Sequence, residues 1–128
     1  MRMKLAPVLF AFLSCAVAAD EAGRHKEWMD TAQDLKDELK DALDAESSAK
    51  AVEPAEKLVK IGEQEEQYWQ KARLEDAVKL AQKNLAASRA IVAAARDGQF
   101  DRALQAYGVL ESTCRACHDL HPEKRLLR

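Results

Sequence analysis

Two cysteines and two histidines fall within one short stretch near the end of the chain, CRACHDLH, running from Cys114 to His121. Thiols and imidazoles are ligands for zinc and iron. Two thiols separated by two residues can also exchange disulfides. The same spacing followed at once by a histidine, C-x-x-C-H, is the attachment motif of a c-type haem. In that chemistry each thiol adds to one vinyl group of the porphyrin, and the adjacent histidine gives a neutral nitrogen to the iron.

The three uses need different surroundings. A thioredoxin-type dithiol needs a strand that runs into a helix, and this sequence has no long Val/Ile/Thr alternation. A disulfide between Cys114 and Cys117 would close too small a loop to stabilise much. Zinc would find the right ligand types in Cys114, Cys117, His118 and His121, but four ligands on one helical turn do not easily surround a tetrahedral ion. Haem attachment is the preferred reading, with zinc and the dithiol as its competitors.

These residues need a scaffold, and the composition names it. The chain is rich in Ala, Leu, Glu, Lys and Gln, which favour helix, while Gly and Pro are scarce and sit where elements break. Four helical segments are expected. The first covers residues 24–45, with Trp28, Ala32, Leu35, Leu39 and Ala42 along one face. In the second, Pro54 is expected in the first turn, with Leu58, Ile61, Glu65 and Trp69 following to about residue 71; Glu65 interrupts this stripe. The third carries Val78, Ala81, Leu85, Ser88, Val92 and Ala95 and ends at Gly98 in a left-handed cap. The fourth begins near Phe100 or Asp101 and runs to about His121, where Pro122 stops it. Glu56–Lys60 and Glu75–Lys79 are spaced as surface pairs.

Short connections between such helices imply an all-α, antiparallel up-and-down four-helix bundle. On the fourth helix, Ala103, Tyr107 and Leu110 lead into Cys114, Cys117 and His118 on the same inward face. Half of the third-helix stripe is Ala or Ser, which leaves room that a flat group beside Ala81 and Ala95 would fill, or else reflects close helix packing.

The other end of the chain bears on compartment. Arg2 and Lys4, an apolar run from Leu5 to Leu13 and small residues after it form the pattern of a secretory signal peptide, residues 1–19, leaving residues 20–128 as the mature domain. The apolar run is shorter than the roughly 20 residues a membrane span requires. Cys15 falls inside this segment; FLSC is only a loose match to a lipoprotein signal, so Cys15 is left out of the fold. Without residues 1–19, 109 residues remain, and loss of Arg2 and Lys4 leaves 18 basic against 22 acidic residues, a net charge of −4. That length suits one domain. No basic stripe suggests nucleic acid, and no second apolar run could span a membrane. The tail EKRLLR is expected to fray or dock loosely.

A haem held by His118 has a second axial position. In an antiparallel bundle the start of the first helix lies beside the end of the fourth. Met29 is therefore at the right height, and it is the one methionine left once Met1 and Met3 are removed. Its alternative role is a gap-filling core side chain. His25, one turn earlier, is a weaker candidate and reads more simply as a surface histidine of the first turn. His121 is expected to interact with carbonyls at the helix end. Trp28, Trp69 and Tyr107 could pack on a porphyrin or serve as ordinary core aromatics.

Taken together, a signal peptide, four helices, HKEWMD early and CRACHDLH near the C-terminus resemble the class II c-type cytochromes, the cytochrome c-prime family. The resemblance covers most of residues 24–121. It implies thioether bonds at Cys114 and Cys117, proximal ligation by His118, one haem c per chain and a homodimer. HKEWMD looks like the low-spin branch of the family, whose first-helix methionine is the sixth ligand, here Met29. The implied function is a periplasmic monohaem cytochrome that carries single electrons between redox partner proteins. No catalytic base, nucleophile or substrate pocket is visible, so the chain is not read as an enzyme. The alternative is a five-coordinate, gas-binding protein of the same family that takes nitric oxide or carbon monoxide.

Overall fold

The computed structural model describes residues 13–122, with side chains from residue 21 onward. Four helices follow one another: α1 (Leu13–Asp44), α2 (Ser48–Ala72), α3 (Glu75–Arg96) and α4 (Phe100–Leu120), with no strand among the described residues. Each packs on the next, and α1 meets α4 less extensively than consecutive helices meet each other. Cross-links show α2 and α3 to be antiparallel, the start of α2 lying beside the end of α3. Ser48 Oγ donates to the Ala95 carbonyl at 2.7 Å, Glu56 pairs with Arg96, Glu63 with Arg89 at 3.3 Å, and Gln82 donates to Glu66 at 3.1 Å. The fold is the expected all-α, antiparallel four-helix bundle.

Several boundaries differ from expectation. α1 starts well before residue 24, because the alanine-rich stretch ahead of it contains no proline to stop a helix. The expected boundary between residues 19 and 20 lies within α1, while residues 1–12 of the expected signal segment lie outside the described residues, as does the tail from residue 123. The side chain of Cys15 also lies outside them. α2 starts before Pro54 rather than at it. Ser47 is the N-cap, in extended conformation, and accepts from the Lys50 N–H at 3.4 Å. Pro54 sits inside the helix, where its ring gives up one backbone bond to the preceding turn but is fully buried in the core.

The expected Glu56–Lys60 pair is replaced by Glu56–Arg96, since Glu56 lies on the side of α2 that borders α3. Gly98 closes α3 in the left-handed region at φ +67°, as its position predicted. Arg73 closes α2 in the same region, φ 56°, with its N–H donating to the Gln70 carbonyl.

The core forms two clusters. The larger contains Leu35, Leu39 and Leu43 of α1, Leu58 of α2, Ile91 of α3 and Leu110 of α4. Burial of each such side chain is worth about 1.5–3 kcal/mol. The smaller contains Trp69, Ala77 and Ala81, with Tyr68 and Val78 packed against it. Gly62 lets α2 approach α3, because a Cβ there would stand 3.2 Å from Leu85 Cδ1 and 3.4 Å from its Cα. Ala95 is small for the same reason of close packing: it is fully buried in the larger cluster and lines no cavity beside Cys114, whereas Ala81 does.

Candidate functional site

A cavity of about 80 Å³ lies between the two clusters, lined by all four helices at the end of the bundle that holds Met29 and His118. α4 contributes Leu110, Thr113, Cys114, Cys117 and His118 to its wall. The three- and four-residue spacings put these side chains on one helix face, and the apolar stripe ahead of them, Ala103, Tyr107 and Leu110, turns that face inward. α1 contributes Met29, Ala32, Gln33 and Lys36. The antiparallel arrangement thus brings Met29 to the same cavity as Cys114, Cys117 and His118, three helices away in sequence. α2 adds Leu58, Ile61, Glu65 and Trp69, and α3 adds Leu80, Ala81 and Asn84.

Asn84 fixes the first thiol. Its side-chain nitrogen donates to Thr113 Oγ1 at 2.9 Å and to Cys114 Sγ at 3.4 Å. Burial pushes the Cys114 thiol upward in pKa, while Lys36 and the Asn84 amide pull the other way. For Cys114 this is the reverse of the lowered pKa that marks a reactive thiol. Cys114 and Cys117 are not joined in a disulfide. Among the described residues no three His, Cys, Asp or Glu side chains converge on one metal position, so the four zinc ligand types of the motif do not form a tetrahedral set.

Both remaining histidines differ from expectation. His121 donates its backbone N–H to the Cys117 carbonyl at 2.9 Å, but its ring leaves the helix end. It stacks on Trp69 with centroids 5.7 Å apart, and Nε2 stands 3.1 Å from Asp76 Oδ2 on α3. His25 is not a surface residue: only 5% of it is exposed. It stacks on Tyr68 at 4.5 Å and turns Nε2 toward Glu65, and it does not line the cavity. The physical reason is Glu65 itself, a carboxylate on the inner face of α2 that draws a donor out of α1.

Of the three aromatics expected near a porphyrin, Trp69 alone lines the cavity. Trp28 packs edge-on against Tyr68 at 6.4 Å. The Tyr107 hydroxyl donates to the Lys36 carbonyl at 3.1 Å, and burial pushes its pKa up. Lys36 is a charged cavity residue that the sequence reading missed, and Gln33, Leu80, Asn84 and Thr113 were missed with it. Lys36 is buried, with Nζ 2.8 Å from Glu111 Oε1 and 3.4 Å from Gln33 Oε1. Its signal was its place next to Leu35 and four residues after Ala32, on the flank of the α1 apolar stripe.

No helix among the described residues is long and apolar enough to cross a membrane. Compared with family models, curated proteins and solved structures, the chain matches none.

Proposed function

We propose that the chain is a periplasmic monohaem c-type cytochrome that carries single electrons, with one haem c attached through Cys114 and Cys117, His118 as proximal ligand and Met29 as sixth ligand. The observation that carries this reading is the meeting of Cys114, Cys117 and His118 of α4 with Met29 of α1 at one cavity. When bound, the haem supplies a one-electron iron couple whose potential follows its axial ligands.

The chain's own residues supply the rest. Cys114 and Cys117 provide two anchors on one helical turn, and His118 provides an imidazole nitrogen beside them. Asn84 and Thr113 hold the first anchor in place. Leu58, Ile61, Leu80 and Leu110 make an apolar wall that excludes water, and Trp69 belongs to the same wall. Met29 offers a thioether from another helix, and sulfur opposite imidazole raises the potential. The donor set fits the group. The cavity, about 80 Å³, is below the roughly 300–1,000 Å³ usual for bound organic ligands, so seating a porphyrin requires wall side chains to move. Met29, with a long unbranched stem and no hydrogen bond or ion pair to hold it among the described residues, is suited to do so. Redox proteins are the partners this function requires, and the family resemblance makes a homodimer plausible.

Colour that stays with the polypeptide after denaturation tests the covalent attachment. Protein matured in a host that makes c-type cytochromes should keep its colour; colourless protein with both thiols reactive overturns the reading. The oxidised protein should show the weak far-red band of sulfur bound to ferric iron. Met29→Ala should replace it with high-spin bands and open the iron to carbon monoxide. An unchanged spectrum removes Met29 from the site, and ready carbon monoxide binding by the unaltered protein favours the five-coordinate, gas-binding alternative.

A further inference from the structure

Glu65 breaks the apolar stripe of α2, and its side chain, 12% exposed, lies in the cavity wall. A carboxylate only accepts hydrogen bonds, so its two neighbours must donate. Trp69 Nε1 donates to Oε2 at 3.0 Å, and His25 Nε2 stands 3.2 Å from Oε2 and 3.1 Å from Oε1. The bond from His25 goes to Oε2, and Oε1 is buried with no hydrogen bond of its own. The links continue outward, from Trp69 to the stacked ring of His121 and from His121 to Asp76. Residues of α1, α2 and α3 and the C-cap of α4 therefore meet in one network at the cavity end of the bundle.

Keeping a buried carboxylate with one unsatisfied oxygen is costly. The other charged side chain in the wall, Lys36, has Glu111 within 2.8 Å as its counter-charge. The incompletely satisfied charge is that of Glu65.

We propose that Glu65 sets the reduction potential of the iron centre held in this cavity, with His25 and Trp69 positioning its carboxylate; the inference rests on the cytochrome reading above. Oxidised iron carries one more positive charge than reduced iron. A fixed negative charge in a low-dielectric interior stabilises the more positive state, so the carboxylate lowers the potential and opposes the upward effect of a methionine ligand.

The test is a redox titration, followed optically, of the covalently loaded full chain and two variants. Glu65→Gln keeps the shape and one acceptor oxygen but removes the charge; Glu65→Asp keeps the charge. The Gln variant should show a raised potential and the Asp variant one nearer the parent's. In both, the far-red band and the thermal midpoint should stay close to the parent's, which separates an effect of charge from a disturbed ligand set. A Gln variant with the parent's potential overturns the inference and leaves the cytochrome reading intact, whereas a parent that carries no covalent haem overturns both. If Glu65→Gln fails to accumulate, Trp69→Phe is titrated instead. Stripping a donor from the carboxylate should lower the potential, and an unmoved potential again overturns the inference.

Discussion

The two ends of this bundle are built from the same helices to opposite specifications. At the end where α1 turns into α2 and α3 into α4, Leu39, Leu43, Ala51, Ala55, Ile91, Ala95 and Ala103 have no exposed surface at all. Alanines bring the helices close, and leucine and isoleucine fill what space remains. At the other end the four helices surround a cavity, and the interior holds Lys36, Glu65, His25 and Asn84 as well as apolar side chains. Buried polar groups need partners and do not match apolar packing in stability. The contrast teaches a division of labour: one end supplies the free energy that lets the other keep charge, space and half-buried sulfur and imidazole groups together.

The largest expected effect falls on the packed end. Leu39→Ala should cost about 2–5 kcal/mol of stability, because a fully packed site cannot collapse onto the space it loses. Met29→Ala, at a half-buried side chain that already borders a cavity, should cost clearly less. Denaturant titration of both variants measures the difference, and equal losses would break the comparison. Next comes the polar network. His25→Ala removes a donor from buried Glu65 and the ring stacked on Tyr68 at 4.5 Å, with an expected loss of about 1–3 kcal/mol. A loss near zero would mean that water satisfies the carboxylate as well as the imidazole does, and that this end is more open than its geometry suggests.

Periodicity made the packed end legible. Leu35, Leu39 and Ala42 of α1, and Leu85, Val92 and Ala95 of α3, repeat at helical spacing and are all buried. Gly98 announced its left-handed turn by residue type alone. Local motif chemistry and chain direction together brought Met29 and the cysteines into register, because an antiparallel bundle fixes height. What remained hidden depends on pairs between helices. Glu65 reads as a flaw in a stripe until His25 and Trp69 are seen to donate to it, and His25 reads as a surface residue for want of that acceptor. His121 sends its ring to Asp76, forty-five positions earlier, and no local pattern encodes that reach. Pro54 misled for a different reason. Proline is favoured in a first turn because its missing N–H costs little there, but the Ser47 hydroxyl accepts an N–H outright and starts α2 earlier. Burial of the ring then holds Pro54 inside the helix.

The smallest effect is expected at the seam between the two ends. Lys36 and Glu111 join α1 to α4, which pack on each other less than consecutive helices do, with Nζ 2.8 Å from Oε1. The pair looks like a clamp, but its two members are not equally buried: the lysine side chain is 8% exposed and the glutamate side chain 35%. Lys36→Met keeps the unbranched stem and removes the buried charge, and Glu111, nearer the surface, can turn to water instead of being stranded. Removing one partner of a buried pair is severe only when the other stays buried. The Tyr107 bond to the Lys36 carbonyl involves the backbone and survives the change. Stability should therefore stay within about 1 kcal/mol of the parent or rise, as read from the denaturant midpoint. A loss of about 3 kcal/mol or more, the cost of breaking a fully buried pair, would show instead that charge holds α1 to α4, and that the cavity end contributes to the stability of the bundle as well as drawing on it.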